Sequence, residues 1–327
     1  MRYRTIGDGD QAFEASALCL GTMFMGSRTD EATSFALLDH FVEAGGSFLD
    51  TANNYNSWAG GYGRESEDLL GRWLASRGTR DQVRLATKLG AAKKDPALPL
   101  SSTPPTNYQG LTPDVVAREA RESLRHLGVE HIDLLYGHVD DRETPLADTV
   151  GAFGKLQAEG LVGVTGISNV SLWRVVEARE EAARQGVHPY AVVQQQLSYA
   201  YPTPSVGNLS WGSPELLDYA RSTGVPGRPP LTVVAYSPLL QGAYTRADKP
   251  LFWGYDHATT HARVDALHDA ARELGATPNQ VVIAWLLGGE VPVVPLVGAS
   301  TLAQLDEALD AVELDLGPEL RARLDAV

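Results

Sequence analysis

Four side chains suited to proton transfer lie far apart in the chain: Asp50, Tyr55, Lys88 and His138. Each ends or follows a short apolar run. Phe48-Leu49 ends in Asp50, and Tyr55 follows in a loop of Asn, Ser and Gly. Ala86-Thr87 leads into Lys88, the run 132–137 into His138, and Gly166-Ile167 into Ser168-Asn169. Apolar residues followed by a polar burst read as a buried strand whose C-terminal end opens into a site. A phenol ordinarily titrates near about 10, too high for an effective acid at neutral pH. A buried cation beside it lowers that value. Lys88 can be that cation, Asp50 can keep it charged when desolvated, and His138 can hydrogen-bond a substrate oxygen. The result is a proton donor aimed at a carbonyl oxygen, with no side-chain nucleophile. That suits carbonyl reduction with a hydride brought by a cofactor. Each residue also has a commoner role: Asp50 as a turn cap, Lys88 as a solvated strand end, His138 as a structural histidine. Their coincidence at equivalent strand ends favours function.

Something must bring these ends together. Strand-like runs occur at 17–21, 48–50, 83–88, 132–138, 163–167, 191–195, 231–237 and 291–296. Helical spacing fills the intervals at 29–44, 65–76, 112–127, 145–159, 172–185, 214–222, 261–274 and 302–311, with a further helix at 279–287. Thr112, Pro113 and Gly128 punctuate the third as N-cap, first turn and stop. Strands apolar on both faces, alternating with helices, specify a parallel sheet. This many units close most economically as a (β/α)8 TIM barrel, a single domain over 1–327. An open doubly wound sheet is the alternative, but Gly21-Thr22-Met23-Phe24-Met25-Gly26 lacks the G-x-G-x-x-G spacing. The opening run 3–15 reads as an N-terminal β-hairpin plugging the barrel bottom. Stretches 93–110 and 199–213, rich in Pro, Asn and Gly, read as long loops at the C-terminal face, where barrels carry function.

The 327 residues are 43% hydrophobic and 21% charged, with a formal net charge of −14. Such a surface repels nucleic acid and anionic membranes, so neither is an expected partner. The single cysteine, Cys19, lies in an apolar run and reads as a buried thiol. The sequence shows neither a signal-peptide pattern nor a membrane-length apolar run, so the expected location is cytoplasmic. It carries no signature of oligomeric state.

Leu20-Gly21-Thr22-Met23, Asp50-Thr51-Ala52-Asn53-Asn54-Tyr55, Ala86-Thr87-Lys88, Ile132-Asp133-Leu134-Leu135-Tyr136-Gly137-His138, Gly166-Ile167-Ser168-Asn169 and Ala235-Tyr236-Ser237-Pro238-Leu239 occur in this order. Together they resemble the aldo-keto reductase family over nearly the whole chain. The resemblance implies an NAD(P)H-dependent reductase with Tyr55 as general acid and Asp50, Lys88 and His138 completing a tetrad. It implies that Ser168, Asn169 and Gln194 hold the nicotinamide carboxamide and that Tyr236 stacks on the ring. It places Gly21, Thr22 and Asp50 against the cofactor, with Ser237, Pro238 and Leu239 near the pyrophosphate. Gly298, Ser300, Gln304 and Glu307 resemble the family's adenosine site, on a Gly-rich turn opening a helix. Ser300 and Ala308 stand where relatives often carry a basic residue and Asn. NADPH is the expected cofactor and NADH the alternative. Leu197 stands where relatives often have Tyr.

For the substrate, Trp58, Tyr199 and Trp211 are the candidate wall, with Tyr201, Trp253 and Tyr255 nearby in the loops. Aromatics so placed either pack on the protein or line a pocket for a sugar or ring-bearing carbonyl. Asp140-Asp141 either bind substrate hydroxyls or are solvated. Two other classes remain: a nucleotide-binding regulatory subunit, as the barrel subunits of potassium channels resemble, and a metal-dependent hydrolase using Asp50 and His138. The latter lacks His-x-His or His-Glu-x-x-His spacing, so no metal is expected.

Overall fold

Paired valines show how the chain builds its central sheet. Val192-Val193, Val233-Val234 and Val293-Val294 are all buried, and neighbours point to opposite faces. Val193, Val233 and Val293 face one apolar layer with the helices, whereas Val192, Val234 and Val294 face a second, inner cluster. Only a sheet covered on both sides buries both members of each pair.

The computed structural model describes residues 1–327 apart from 96, 100, 103–104, 204–210, 252–253 and 292. The strands β3 (Cys19–Gly21), β4 (Phe48–Asp50), β5 (Arg84–Leu89), β8 (Ile132–Gly137), β9 (Val162–Ser168), β10 (Val192–Gln196), β11 (Thr232–Tyr236) and β12 (Val293–Val297) form a closed parallel barrel. It closes where β12 pairs with β3, Leu296 opposite Cys19. This is the expected TIM barrel. The hairpin is present too: β1 (Tyr3–Ile6) pairs antiparallel with β2 (Phe13–Ser16). Ile6 and Ala15 join the inner cluster, and Phe13 meets Phe48 edge-on at 6.2 Å. The hairpin therefore stoppers the lumen at the end opposite the strand C-termini. A short ribbon, β6 (Ser101–Ser102) with β7 (Pro105–Thr106), lies in the loop after β5.

The helices are α1 (Glu31–Glu43), α2 (Glu65–Arg77), α3 (Pro113–Leu127), α4 (Leu146–Ala158), α5 (Leu172–Gln185), α6 (Pro214–Arg221), α7 (Ala258–Leu274), α8 (Pro278–Leu287), α9 (Leu302–Asp310) and α10 (Gly317–Asp325). Thr112 caps α3 by accepting from the Val115 amide, and Gly128 ends it in the left-handed region at φ 64°. Thr277 and Gln280 form a capping box on α8. Helix α7 starts at Ala258, ahead of the expected 261, because His257 caps it. Helix α10 was not expected from the sequence: it buries only Leu320 and Leu324. Among the described residues no helix is long and apolar enough to cross a membrane.

Candidate active site

Strands β4 and β5 are neighbours, with Asp50 in register with Ala86. The fully buried Lys88 thus projects from β5 across the end of β4. Its Nζ donates to Asp50 Oδ1, to the Thr51 carbonyl at 2.8 Å and to Tyr55 Oη at 2.9 Å. All three ammonium donors are used. Because Lys88 donates to Tyr55 Oη, the phenol's own proton is not committed to the lysine. The His138 ring stands edge-on to Tyr55 at 6.2 Å, and its buried Nδ1 has no hydrogen-bond partner. The fold therefore does bring the four residues together.

Burial sets their protonation. It pushes the Tyr55 phenol up to about 12, with Lys88 pulling downward and Asp50 adding to the rise. The expectation of a phenol lowered by Lys88 is corrected here: the cation only offsets part of the desolvation, and Tyr55 stays protonated. Burial also raises the Asp50 carboxyl, against Lys88 and the Gln194 amide. For Lys88, burial favours loss of the proton, but Asp50 and Tyr55 more than reverse it. His138 is depressed to about 3, first by burial and then by Lys88, so it is neutral at ordinary pH.

A second buried network supports this cluster. Arg64, bridged to Tyr55, donates to Glu67 at 2.7 Å, to Glu119 at 2.5 Å and to Ser123 at 3.1 Å. Glu119 also accepts from Asn53 at 3.0 Å, and Glu67 from Thr87 at 2.7 Å, beside Lys88. The loop carrying Tyr55 is thereby clamped to α2, α3 and β5. Sequence reading missed these residues. Their signal was available: Glu67 falls on the buried face of α2 with Ser66, Leu70 and Leu74.

Ser168 Oγ donates to the Gln194 carbonyl at 2.8 Å. Asn169, in the left-handed region at φ 58°, donates to the His138 carbonyl at 2.9 Å and accepts from Tyr236 Oη at 2.9 Å. Gln194 points inward, and its Nε2 donates to Asp50 Oδ2 at 2.9 Å. Alternation puts Gln196 on the same face one layer higher, in register with Tyr236. Ser237, Leu240 and Gln241 all take positive φ, at 51°, 46° and 57°. Such a run of non-glycine outliers beside Pro238 and Leu239 marks a constrained turn of the kind that clusters at ligand sites. Gly21 leaves room for Leu296, whose side chain would lie 2.7 Å from an added Cβ. Thr22 Oγ1 donates to the Asp50 carbonyl at 3.0 Å.

Beyond β12 the turn holds Gly298, with open space where a Cβ would be, and Thr301 caps α9. Gln304 Oε1 accepts from the Ser300 amide at 2.9 Å. Glu307 accepts from Thr277 at 2.6 Å and Asn279 at 3.1 Å.

A family model for the aldo/keto reductase family matches residues 17–327. The chain belongs to this family. It is 32% identical to the uncharacterized oxidoreductase YrpG of Bacillus subtilis (strain 168), over 98% of this chain and 94% of that protein. It is 31% identical to norsolorinic acid reductase stcV of Emericella nidulans, over 93% of this chain and 76% of that protein. With aldo-keto reductase str7 of Strobilurus tenacellus it shares 32% identity over 90% and 81%. Membership makes this aldo/keto reductase an oxidoreductase of a class that uses nicotinamide cofactors and acts on small carbonyl compounds.

The aromatic residues expected at the mouth divide between exposed and buried positions. Trp58 is half exposed and meets Tyr55 edge-on at 6.1 Å. Trp211 bridges Gln196 and packs on Tyr201 at 6.0 Å. Tyr199 is a correction: it is fully buried, lies 5.2 Å from Trp285, and donates to the Leu324 carbonyl at 2.8 Å. It joins the core to the helix unread in the sequence. Tyr255 and Leu197 are also buried, and Trp253 lies outside the described residues. Asp140 and Asp141 are neither solvated nor free. Asp140 pairs with Arg142 and Arg174, and Asp141 accepts from the Leu111 amide at 2.7 Å and from Thr144 at 2.6 Å.

Proposed function

We propose that this aldo/keto reductase reduces an aldehyde or ketone to the alcohol, with Tyr55 as proton donor. The observation that carries the reading is Lys88 Nζ donating to Tyr55 Oη at 2.9 Å inside a sealed ion pair. Donors and surfaces suited to a nicotinamide dinucleotide run from Tyr236, Ser168, Asn169 and Gln194 past Ser237, Pro238 and Leu239 to Gly298, Ser300 and Gln304. Ser168, Asn169 and Gln194 would hold the nicotinamide carboxamide. NADPH, or alternatively NADH, would when bound there supply a hydride for the carbonyl carbon. Tyr55 gives its proton to the carbonyl oxygen, and Lys88 steadies the phenolate that remains. Neutral His138 hydrogen-bonds the same oxygen as charge develops on it. Trp58 beside Tyr55, with Trp211 across the mouth, favours a ring-bearing carbonyl. We place the enzyme in the cytoplasm as one barrel domain, in accord with its lone buried thiol.

Parallel fluorescence titrations with NADPH and NADH test the cofactor. In Tyr55→Phe, turnover on a carbonyl panel should fall by about a thousandfold while cofactor affinity is kept. Retained turnover would remove Tyr55 from the role. Tight cofactor binding without turnover in the unmodified protein would favour a regulatory subunit.

A further inference from the structure

Asp50 and Lys88 lie on neighbouring barrel strands, and the pairing of those strands fixes them. Tyr55 has no such support. It lies beyond the end of β4, in a loop that runs out to an exposed tip and returns to α2 at Glu65. The outgoing limb is tied to β5 by the Asn53 amide on the Lys88 carbonyl at 3.0 Å, and the returning limb meets Tyr55 through the backbone bridge at Arg64. The limbs run close together: a Cβ on Gly63 would lie 3.3 Å from the Asn53 carbonyl oxygen. Glu65 closes the tip from within, accepting from Asn56, Tyr62 and Gly63. The buried Glu119 reaches in from α3 instead. Its Oε2 accepts from Asn53 Nδ2 at 3.0 Å on one limb and from Arg64 Nη2 at 2.5 Å on the other. Its Oε1 accepts from the exposed Arg118 at 3.1 Å.

We propose that Glu119 is a positioning residue for proton transfer: by holding Asn53 and Arg64 on one oxygen it fixes the base of the Tyr55 loop, and so keeps Tyr55 Oη on Lys88. An ionised acceptor makes shorter and stronger hydrogen bonds than a neutral one, which suits a carboxylate to this task. Its neighbours do less. Glu67 and Ser123 also accept from Arg64, at 2.7 and 3.1 Å. Glu67, however, lies in the first turn of the helix that begins after Arg64, so that bond is local, and neither residue bonds Asn53. Among the described residues Glu119 is the one acceptor of the Asn53 side-chain amide. Asn54 donates to the Ala91 carbonyl at 3.1 Å, which ties the outgoing limb to the chain after β5 but not to the returning limb. Without Glu119 the Asn53 amide would be buried with no acceptor, a costly state that the loop would shift to relieve. A shift of about 1 Å at a reacting group costs up to about a hundredfold in rate, and a loosened loop base moves Tyr55 by less.

The inference rests on Tyr55 being the acid, and the test keeps the two apart. The measurements are kcat and carbonyl KM, with the NADPH dissociation constant from fluorescence, on protein whose circular dichroism matches the parent. Glu119→Leu removes both acceptor oxygens. Its kcat should fall about tenfold, with KM and NADPH affinity within about twofold of the parent. Glu119→Gln keeps one carbonyl oxygen for Asn53 and Arg64 and turns its amide toward Arg118, which is free to swing into water. It should recover kcat to within about threefold of the parent. If Glu119→Leu fails to fold, Asn53→Ala decides in its place: it breaks the outgoing-limb bond alone and should lower kcat about threefold with KM kept. Unchanged kcat would overturn the proposal, as would a loss confined to KM or to NADPH affinity. A loss in Glu119→Gln as deep as in Glu119→Leu would make the effect one of charge rather than of holding, and would also overturn it. In a Tyr55→Phe background, Glu119→Leu should take nothing further from the residual turnover, because it acts through the phenol. A further tenfold loss there would place its action elsewhere. Parental turnover in Tyr55→Phe itself would instead remove the acid.

Discussion

Asp50, Lys88 and Tyr55 are almost sealed from water and tied to one another, to Thr51 and to Gln194. Ser300, Thr301 and Gln304, at the start of α9, are exposed and bond mainly among themselves. The difference separates two ways of handling charge. In the lumen, an ionic group persists only because a partner opposes its desolvation, so geometry and protonation are fixed before a substrate arrives. At the α9 turn, water competes for every contact, and a ligand must exchange bonds that already exist. The first region should respond to substitution steeply and the second weakly.

The largest expected effect is on stability. Lys88→Met leaves Asp50 buried without its cation and should cost about 3–5 kcal/mol. Gln304→Ala, at the exposed turn, should stay within about 0.5 kcal/mol. Denaturant midpoints for the two variants measure this contrast directly. Similar small losses in both would mean that water reaches the lumen and that the comparison fails.

A second effect, confined to acid pH, follows from His138. Its folded-state value of about 3 lies below the unfolded value of about 6.5. The unfolded chain therefore binds the proton more readily, and stability falls as pH drops from about 6.5 toward 3. Carboxylates with lowered values, such as Asp39 and Asp68, also lose stability on the acid side. The difference between parent and His138→Gln isolates the imidazole. The variant's stability curve should be flatter across that window, and parallel curves would show that His138 titrates as if in water.

The barrel, the hairpin and the meeting of Asp50, Tyr55, Lys88 and His138 were legible because each leaves a one-dimensional trace. Paired valines mark two-sided burial, and a polar burst after an apolar run marks a strand end. What escaped depends on distances between strands. Nothing local announces that Gln194 bonds Asp50; only the position of β10 opposite β4 in the closed barrel does. Tyr199 looked like a loop aromatic because its partners, Trp285 and Leu324, come from helices far along the chain. The direction of the Tyr55 shift was also missed, since a sequence names the cation beside a phenol but not the water excluded around both.

The smallest expected effect belongs to the exposed turn. Ser300→Arg puts a guanidinium where the Ser300 amide and Gln304 now close the turn. A phosphate on the adenosine ribose would gain a charged partner there, while NADH has no such group to offer. Because the site is open to water, the gain should be no more than about 1 kcal/mol, or roughly fivefold in NADPH affinity. It should fade as salt is raised, since an exposed pair is screened within about 10 Å at 0.1 M. The overall charge of −14 works in the same direction, because removing local repulsion also helps a phosphate approach. Fluorescence titrations of NADPH and NADH at low and high salt separate these contributions. A specific contact strengthens NADPH alone, whereas relief of the general field strengthens both cofactors in proportion to their charge. Improvement of both without a salt dependence would place the adenosine end of the groove away from α9.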